Sequence, residues 1–189
     1  MPRAAQQKSK KILLVDGYNV IRAGSLYKHL TEQTPDHSQD VFNAAREALL
    51  SDVASFAGRD YKATVVFDGA GNPGSEGDRQ SFGTIKYLFS PYGVSADTII
   101  EDLANKAAKR GMEVLVVTSD ANLQWTVFGG KVTRMSAAGF VDEVLTQRES
   151  FEEDASAGLA PTARKFTLGS RINPEVAARL ERIARGKSS

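Results

Sequence analysis

The stretch Ile12-Leu13-Leu14-Val15-Asp16-Gly17-Tyr18-Asn19-Val20-Ile21 decides the fold class. Its first four residues are apolar without alternation, the pattern of a strand covered on both faces, and the run halts at Asp-Gly. The same punctuation recurs downstream. Ala63-Thr64-Val65-Val66-Phe67 stops at Asp68-Gly69, and Val114-Leu115-Val116-Val117-Thr118 stops at Ser119-Asp120. A further candidate strand, Thr84 to Phe89, ends at Ser90-Pro91. Helical periodicity fills the intervals. From Asp40 to Phe56 the residues Val41, Ala45, Ala48, Leu49 and Val53 recur at helical spacing; from Ala96 to Arg110 the apolar positions are Ile99, Ile100, Leu103, Ala104 and Ala107. Ser95 is placed to cap that second helix and Gly111 to stop it. Shorter helices are expected near Ala121 to Val127 and Ala138 to Gln147. Strands alternating with helices predict an α/β fold with a mostly parallel central sheet and helices on both faces.

At 189 residues the chain suits one domain with an appendage. The expected division is a basic extension over 1–10, the α/β domain over 11–147, and a linker with a basic helical tail over 148–189. The segment Arg22 to Gln39 is polar and reads as mostly loop; His29 and His37 lie in it at a spacing that matches no metal motif. Glu149, Glu152, Glu153 and Asp154 lead into Ala155 to Pro161, which reads as the linker. Beyond it a helix is expected over Pro174 to Ala184. Cysteine is absent, which excludes disulfides, thiolate metal sites and cysteine nucleophiles and suits a reducing, cytoplasmic compartment. No apolar run reaches the roughly 18 residues of a membrane span, and the polar start of the chain does not read as a secretory signal.

Three strand runs that each end in an aspartate carry the functional argument. In a parallel sheet the residues just past the strand ends converge on one edge, where α/β folds bind their ligands. Asp16, Asp68 and Asp120 are expected there. Asp97 opens a helix, and Glu101, four residues on, shares its helical face. Carboxylates packed together repel and raise one another's pKa, so such a cluster implies a cation; oxygen donors select Mg²⁺ or Mn²⁺. The chemistry implied is phosphodiester hydrolysis. Singly, each aspartate also reads as a turn or cap residue.

Other sites fail on context. Gly69-Ala70-Gly71-Asn72-Pro73-Gly74 spells G-x-G-x-x-G, yet Pro73, Gly74 and Gly77 forbid the helix a dinucleotide site needs, and a flexible loop is the better reading. A P-loop and a Gly-x-Ser-x-Gly elbow are absent. Tyr18, not a second aspartate, stands two residues after Asp16, against a haloacid-dehalogenase-like phosphatase. The net charge of +1 argues against a strongly basic nucleic-acid binder.

Taken in order, Asp16-Gly17-Tyr18-Asn19-Val20-Ile21, Val66-Phe67-Asp68, Ser95-Ala96-Asp97-Thr98-Ile99-Ile100-Glu101, Thr118-Ser119-Asp120 and Arg134-Met135-Ser136-Ala137 resemble the YacP-like branch of the NYN domain family, within the PIN-like nucleases. The resemblance runs from about Lys11 to Leu145. It implies a PIN-like fold and a metal-dependent endoribonuclease acting on unpaired RNA in RNA decay. Asp16, Asp97 and Asp120 match the family's metal-binding carboxylates, with Glu101 and Asp68 as further ligands. Asn19 matches the motif asparagine, set to orient Asp16 or a water. Arg46, Arg79 and Lys86 are the candidate phosphate contacts. Trp125 reads as helix packing. The rival function is a non-catalytic PIN-like RNA-binding module acting with a partner, against which the intact aspartates argue. Whether the RNA is free or held by a ribosome or another partner is not written in the sequence, nor is the oligomeric state. Seven Lys or Arg after Ala160, against two Glu, are expected to add RNA affinity without chemistry.

Overall fold

The computed structural model describes residues 10–32, 42–119 and 131–156. Six strands form one sheet: β1 (Lys11–Asp16), β2 (Tyr61–Phe67), β3 (Arg79–Phe82), β4 (Ile85–Phe89), β5 (Val114–Val117) and β6 (Val132–Met135). Their order is β3-β4-β2-β1-β5-β6, and every neighbouring pair is parallel except β3 with β4. The helices are α1 (Gly17–Arg22), α2 (Ser25–Glu32), α3 (Asn43–Ala57), α4 (Ala96–Lys109) and α5 (Ala137–Ser156).

Both faces of the central sheet are covered, which is why β1, β2 and β5 read as largely apolar runs. On one face Leu13, Val15, Val65 and Phe67 pack against Val20 and Ile21 of α1, Leu49 and Val53 of α3, and Phe140 of α5. On the other, Leu14, Val66, Leu88 and Val116 pack under Ala96, Ile100 and Ala104 of α4. The route of the chain follows from this division. β1 leaves through α1, α2 and α3 to return as β2 on one side, whereas β4 leaves through α4 on the opposite face and returns as β5 on the other side of β1. The strand order therefore reverses between β1 and β5, and the crevice at that reversal is where open α/β sheets bind ligands.

Several expectations change. Arg22 to Gln39 is not all loop, since Ser25–Glu32 forms α2. Leu26, Tyr27 and Leu30 fall on one helical face of this otherwise polar stretch and pack on the core. The Tyr27 ring is fully buried, a gain of about 1.5–3 kcal/mol, and its hydroxyl donates to Asp52 Oδ2 at 2.8 Å. Asp52 in turn accepts from Arg148 at 2.8 Å, tying α2, α3 and α5 together. Burial, then the Asp52 charge, pushes the Tyr27 hydroxyl far above its ordinary pKa. His29 is exposed on α2, and His37 lies outside the described residues. The strand expected at Thr84 begins at Ile85 and is preceded by β3, whose polar Arg79-Gln80-Ser81 gave no strand signal. β6 was not foreseen as a strand either; half of Val132-Thr133-Arg134-Met135 is polar because it lies at the edge of the sheet. α5 runs on to Ser156 instead of ending near Gln147, so the acidic patch is helical. The helices expected at 121–127 and 174–184, and Trp125, lie outside the described residues.

The chain divides into two compact units, Met1–Arg148 and Glu149–Ser189. Among the described residues no helix is long and apolar enough to cross a membrane.

Candidate active site

At the end of β1, Asp16 caps α1. Its Oδ1 accepts from the Asn19 backbone N–H at 3.0 Å and its Oδ2 accepts from Asn19 Nδ2 at 2.6 Å. An ionised carboxylate only accepts, so the amide nitrogen of Asn19 must face it. The same Nδ2 reaches Thr118 Oγ1 at 3.4 Å, across the reversal to the residue that follows β5. Asn19 thus bridges the ends of β1 and β5. Asp16 is only 6% exposed and Thr118 is fully buried. Gly17 is a steric requirement of this turn: a Cβ there would stand 2.3 Å from the Phe67 ring. Tyr18 packs its ring against Phe42 and Phe67 and accepts at its hydroxyl from Arg46.

β2 ends one strand away. Asp68 is exposed, and its Oδ1 accepts from Ala70 N at 2.8 Å, so it does form the turn that Asp-Gly suggests. Gly69 N donates to the buried Ser90 Oγ at 2.9 Å, and a Cβ on Gly69 would stand 2.3 Å from the Ser90 carbonyl oxygen. The glycine-rich loop is laced to the β4–α4 connection: Tyr92 N donates to Ser75 O, Gly93 N to Ala70 O, and Ser75 Oγ to Ser90 O. No helix opens in it, as expected of a false dinucleotide fingerprint. Ser95 caps α4 by accepting from Thr98 N, as expected, and Asp97 follows in the first turn with one carboxylate oxygen, Oδ1, buried. Glu101 is exposed one turn further along the helix.

The pleat sorts the faces. Leu14 and Leu88 belong to the core under α4, so Asp16 and Ser90, two residues on, share the α4 side. Arg79 pairs with Leu88 and Lys86 with Ser81, which puts both exposed cations on that side as well. Arg46 belongs to the opposite side. It is 9% exposed, lies 5.3 Å over the Phe89 ring and donates to Tyr18 Oη and Asn43 Oδ1, walling a cavity of about 160 Å³. Asp120 lies outside the described residues.

Burial pushes the Asp16 carboxyl above its ordinary pKa. The two Asn19 donors pull it back, the nearby Asp68 charge pushes it further up, and Arg22 pulls it down.

The match to known families is direct: residues 13–185 fit the YacP-like NYN domain. The chain belongs to the YacP-like NYN domain family. A relative named "Uncharacterized protein YacP" in Bacillus subtilis (strain 168) is 33% identical over 144 residues, 75% of this chain and 79% of the relative. Crystal structures of Rae1 (YacP) from Bacillus subtilis share the fold. One is 30% identical with a TM-score of 0.55 and covers 93% of this chain and 95% of that one; a point mutant is 25% identical with a TM-score of 0.59, covering 92% and 99%.

NYN domains are a nuclease-type family whose chemistry generally uses divalent metals. The donors at this edge are all oxygen, and Asp16 is a carboxylate whose raised pKa a cation would reverse, so the chemistry of the set fits a hard divalent ion. Among the described residues no three His, Cys, Asp or Glu side chains group to hold a metal. Three features of the NYN site went unread in the sequence. Thr118, Ser90 and the packing need for Gly17 each depend on a contact between distant strands. Only Gly directly after an end-of-strand Asp could have signalled the last.

Proposed function

We propose that this NYN domain is a divalent-metal-dependent endoribonuclease that hydrolyses phosphodiester bonds in unpaired RNA at the carboxyl edge of its sheet. The observation that carries the reading is the Asp16–Asn19–Thr118 bridge across the strand-order reversal, with Asp68 adding to the acid field on Asp16. Asp16, Asp97 and Asp120 would hold Mg²⁺ or Mn²⁺, with Glu101 and Asp68 as outer donors. A cation held there supplies Lewis acidity, lowering the pKa of water and offsetting charge on the phosphate.

The protein's own residues have separate tasks. Asn19 fixes the carboxylate of Asp16 in one orientation through two donated hydrogen bonds, which favour its charged form against the cost of burial. Ser95 caps α4, so that Asp97 is presented from a rigid first turn where the helix dipole favours its negative charge. Arg79 and Lys86, on the α4 side, are the cations assigned to the RNA backbone; Arg46, built into an aromatic wall, acts on Tyr18 and so on the motif turn. An unpaired strand suits an edge formed by loops, whose bases need not be pulled from a duplex first.

The test is incubation of a mixed RNA pool with Mn²⁺, with and without EDTA, beside an Asp97→Asn variant. Cleavage should require metal and be lost in the variant. Cleavage that survives EDTA or Asp97→Asn would overturn the assignment, and RNA binding without cleavage under every condition would favour the non-catalytic binding module.

A further inference from the structure

Tyr92 is the most exposed large apolar side chain among the described residues, at 60%, against 50% for Phe151 and 40% for Leu145, both on α5. A single exposed aromatic is ordinary on a protein surface. What sets Tyr92 apart is its place. It stands on the short connection from β4 to α4, between the buried Ser90 and the Ser95 cap that introduces Asp97. Its backbone N–H donates to Ser75 O at 2.9 Å, and Gly93 N donates to Ala70 O at 3.1 Å, so the loop that begins at Asp68 holds it from the other side. Ser75 Oγ to Ser90 O at 2.7 Å and Gly69 N to Ser90 Oγ at 2.9 Å close the same lacing. The two connections that carry Asp68 and Asp97 thus meet in one lip. The lip presents an aromatic ring to solvent.

We infer that Tyr92 is a stacking platform for a base of the unpaired RNA that crosses this edge. The inference rests on the ribonuclease reading and adds to it a recognition element. A tyrosine ring offers a flat face at little conformational cost, having only two side-chain torsions to fix. Every base has a π-face, so stacking here is tolerant of sequence but requires bases free of a duplex. The lacing of the lip matters because a platform on a loose loop would lose much of its stacking energy in ordering the loop. Arg79 lies on the α4 side of the sheet, and its partner Leu88 is two residues before Ser90, which puts a cation for the RNA backbone at the foot of the same lip.

The experiment uses the full chain and four proteins: wild type, Tyr92→Phe, Tyr92→Leu and Tyr92→Ala. Dissociation constants are measured in EDTA for oligoadenylate and for a duplex RNA of equal length, and KM and kcat are measured with Mn²⁺. Removing the ring should weaken oligoadenylate binding about ten-fold and raise KM more than it lowers kcat. Tyr92→Phe should bind like wild type. Tyr92→Leu, apolar but without a π-face, should fall with Tyr92→Ala, and duplex binding should not move. Equal oligoadenylate affinity for Tyr92→Ala and wild type overturns the inference while leaving the nuclease reading intact if wild type cleaves. Equal affinity for Tyr92→Leu and Tyr92→Phe overturns stacking in favour of simple apolar contact. A wild type that never cleaves, with Tyr92→Ala still weakened for oligoadenylate, sinks the nuclease reading and keeps the platform.

Discussion

Asn19 gives Asp16 two hydrogen bonds and reaches Thr118 with the same amide nitrogen, so one side chain ties together a motif turn and a strand end 99 positions apart. The family resemblance marks the motif position of Asn19. Thr118 as its partner was not legible, because nothing in a sequence says which strand will lie beside β1. The burial of Asp16 has a consequence for pH. Its folded-state pKa is raised above the ordinary 3.8. The metal-free fold therefore binds this proton more tightly than the unfolded chain does. The stability that proton contributes is complete below the ordinary value and is lost as pH rises through the raised one. Urea melts of metal-free protein across the acidic range should show that decline in the wild type and a flatter profile in Asp16→Asn. Identical slopes in the two proteins would mean that Asp16 does not titrate as its surroundings require.

The elements differ in how legible they are, and the reason is physical. β1, β2 and β5 are largely buried on both faces, so their apolar composition marks them, whereas β4 carries the exposed Lys86 and keeps only Ile85 and Leu88 buried. β3 lies at the sheet edge with Arg79, Gln80 and Ser81 exposed, and an edge strand paired on one side need not be apolar. α2 lays Leu26, Tyr27 and Leu30 on the core from a short, mostly polar stretch, and the bond from Tyr27 to Asp52, 25 positions away, is a contact no local pattern announces. The turn from β1 into α1 makes the sharpest prediction at this scale. Gly17→Ala would drive a methyl into the Phe67 ring, whose nearest carbon stands 2.3 Å away. Overpacking of that kind costs about 1–3 kcal/mol, and the strain falls on the turn that carries Asp16 and Asn19. Gly17→Ala should melt well below wild type and lose activity out of proportion to its loss of fold. Gly71→Ala, whose added methyl meets nothing within 4 Å, should stay within about 0.5 kcal/mol of wild type. Equal melting temperatures for the two variants would remove the packing account of the Asp-Gly motif.

Across the whole molecule, alternating strands and helices sufficed to predict a mostly parallel sheet covered on both faces. The order β3-β4-β2-β1-β5-β6 could not be read the same way, since the step from β4 across to β5 is fixed by which faces the helices cover and not by any local signal. That step matters most for function. It brings the end of β5 against the end of β1, and it lays α4, with Asp97 in its first turn, on the face that Asp16 shares. The divalent cation proposed for this domain would sit at this convergence. The direct test is the change in melting temperature on adding Mn²⁺ to the metal-free protein, for wild type and for Asp97→Asn. A ligand that binds only the folded state raises stability by mass action. Wild type should therefore rise with Mn²⁺ concentration, and Asp97→Asn should rise much less. A wild-type melting temperature indifferent to Mn²⁺, or an equal rise in the two proteins, would contradict the account.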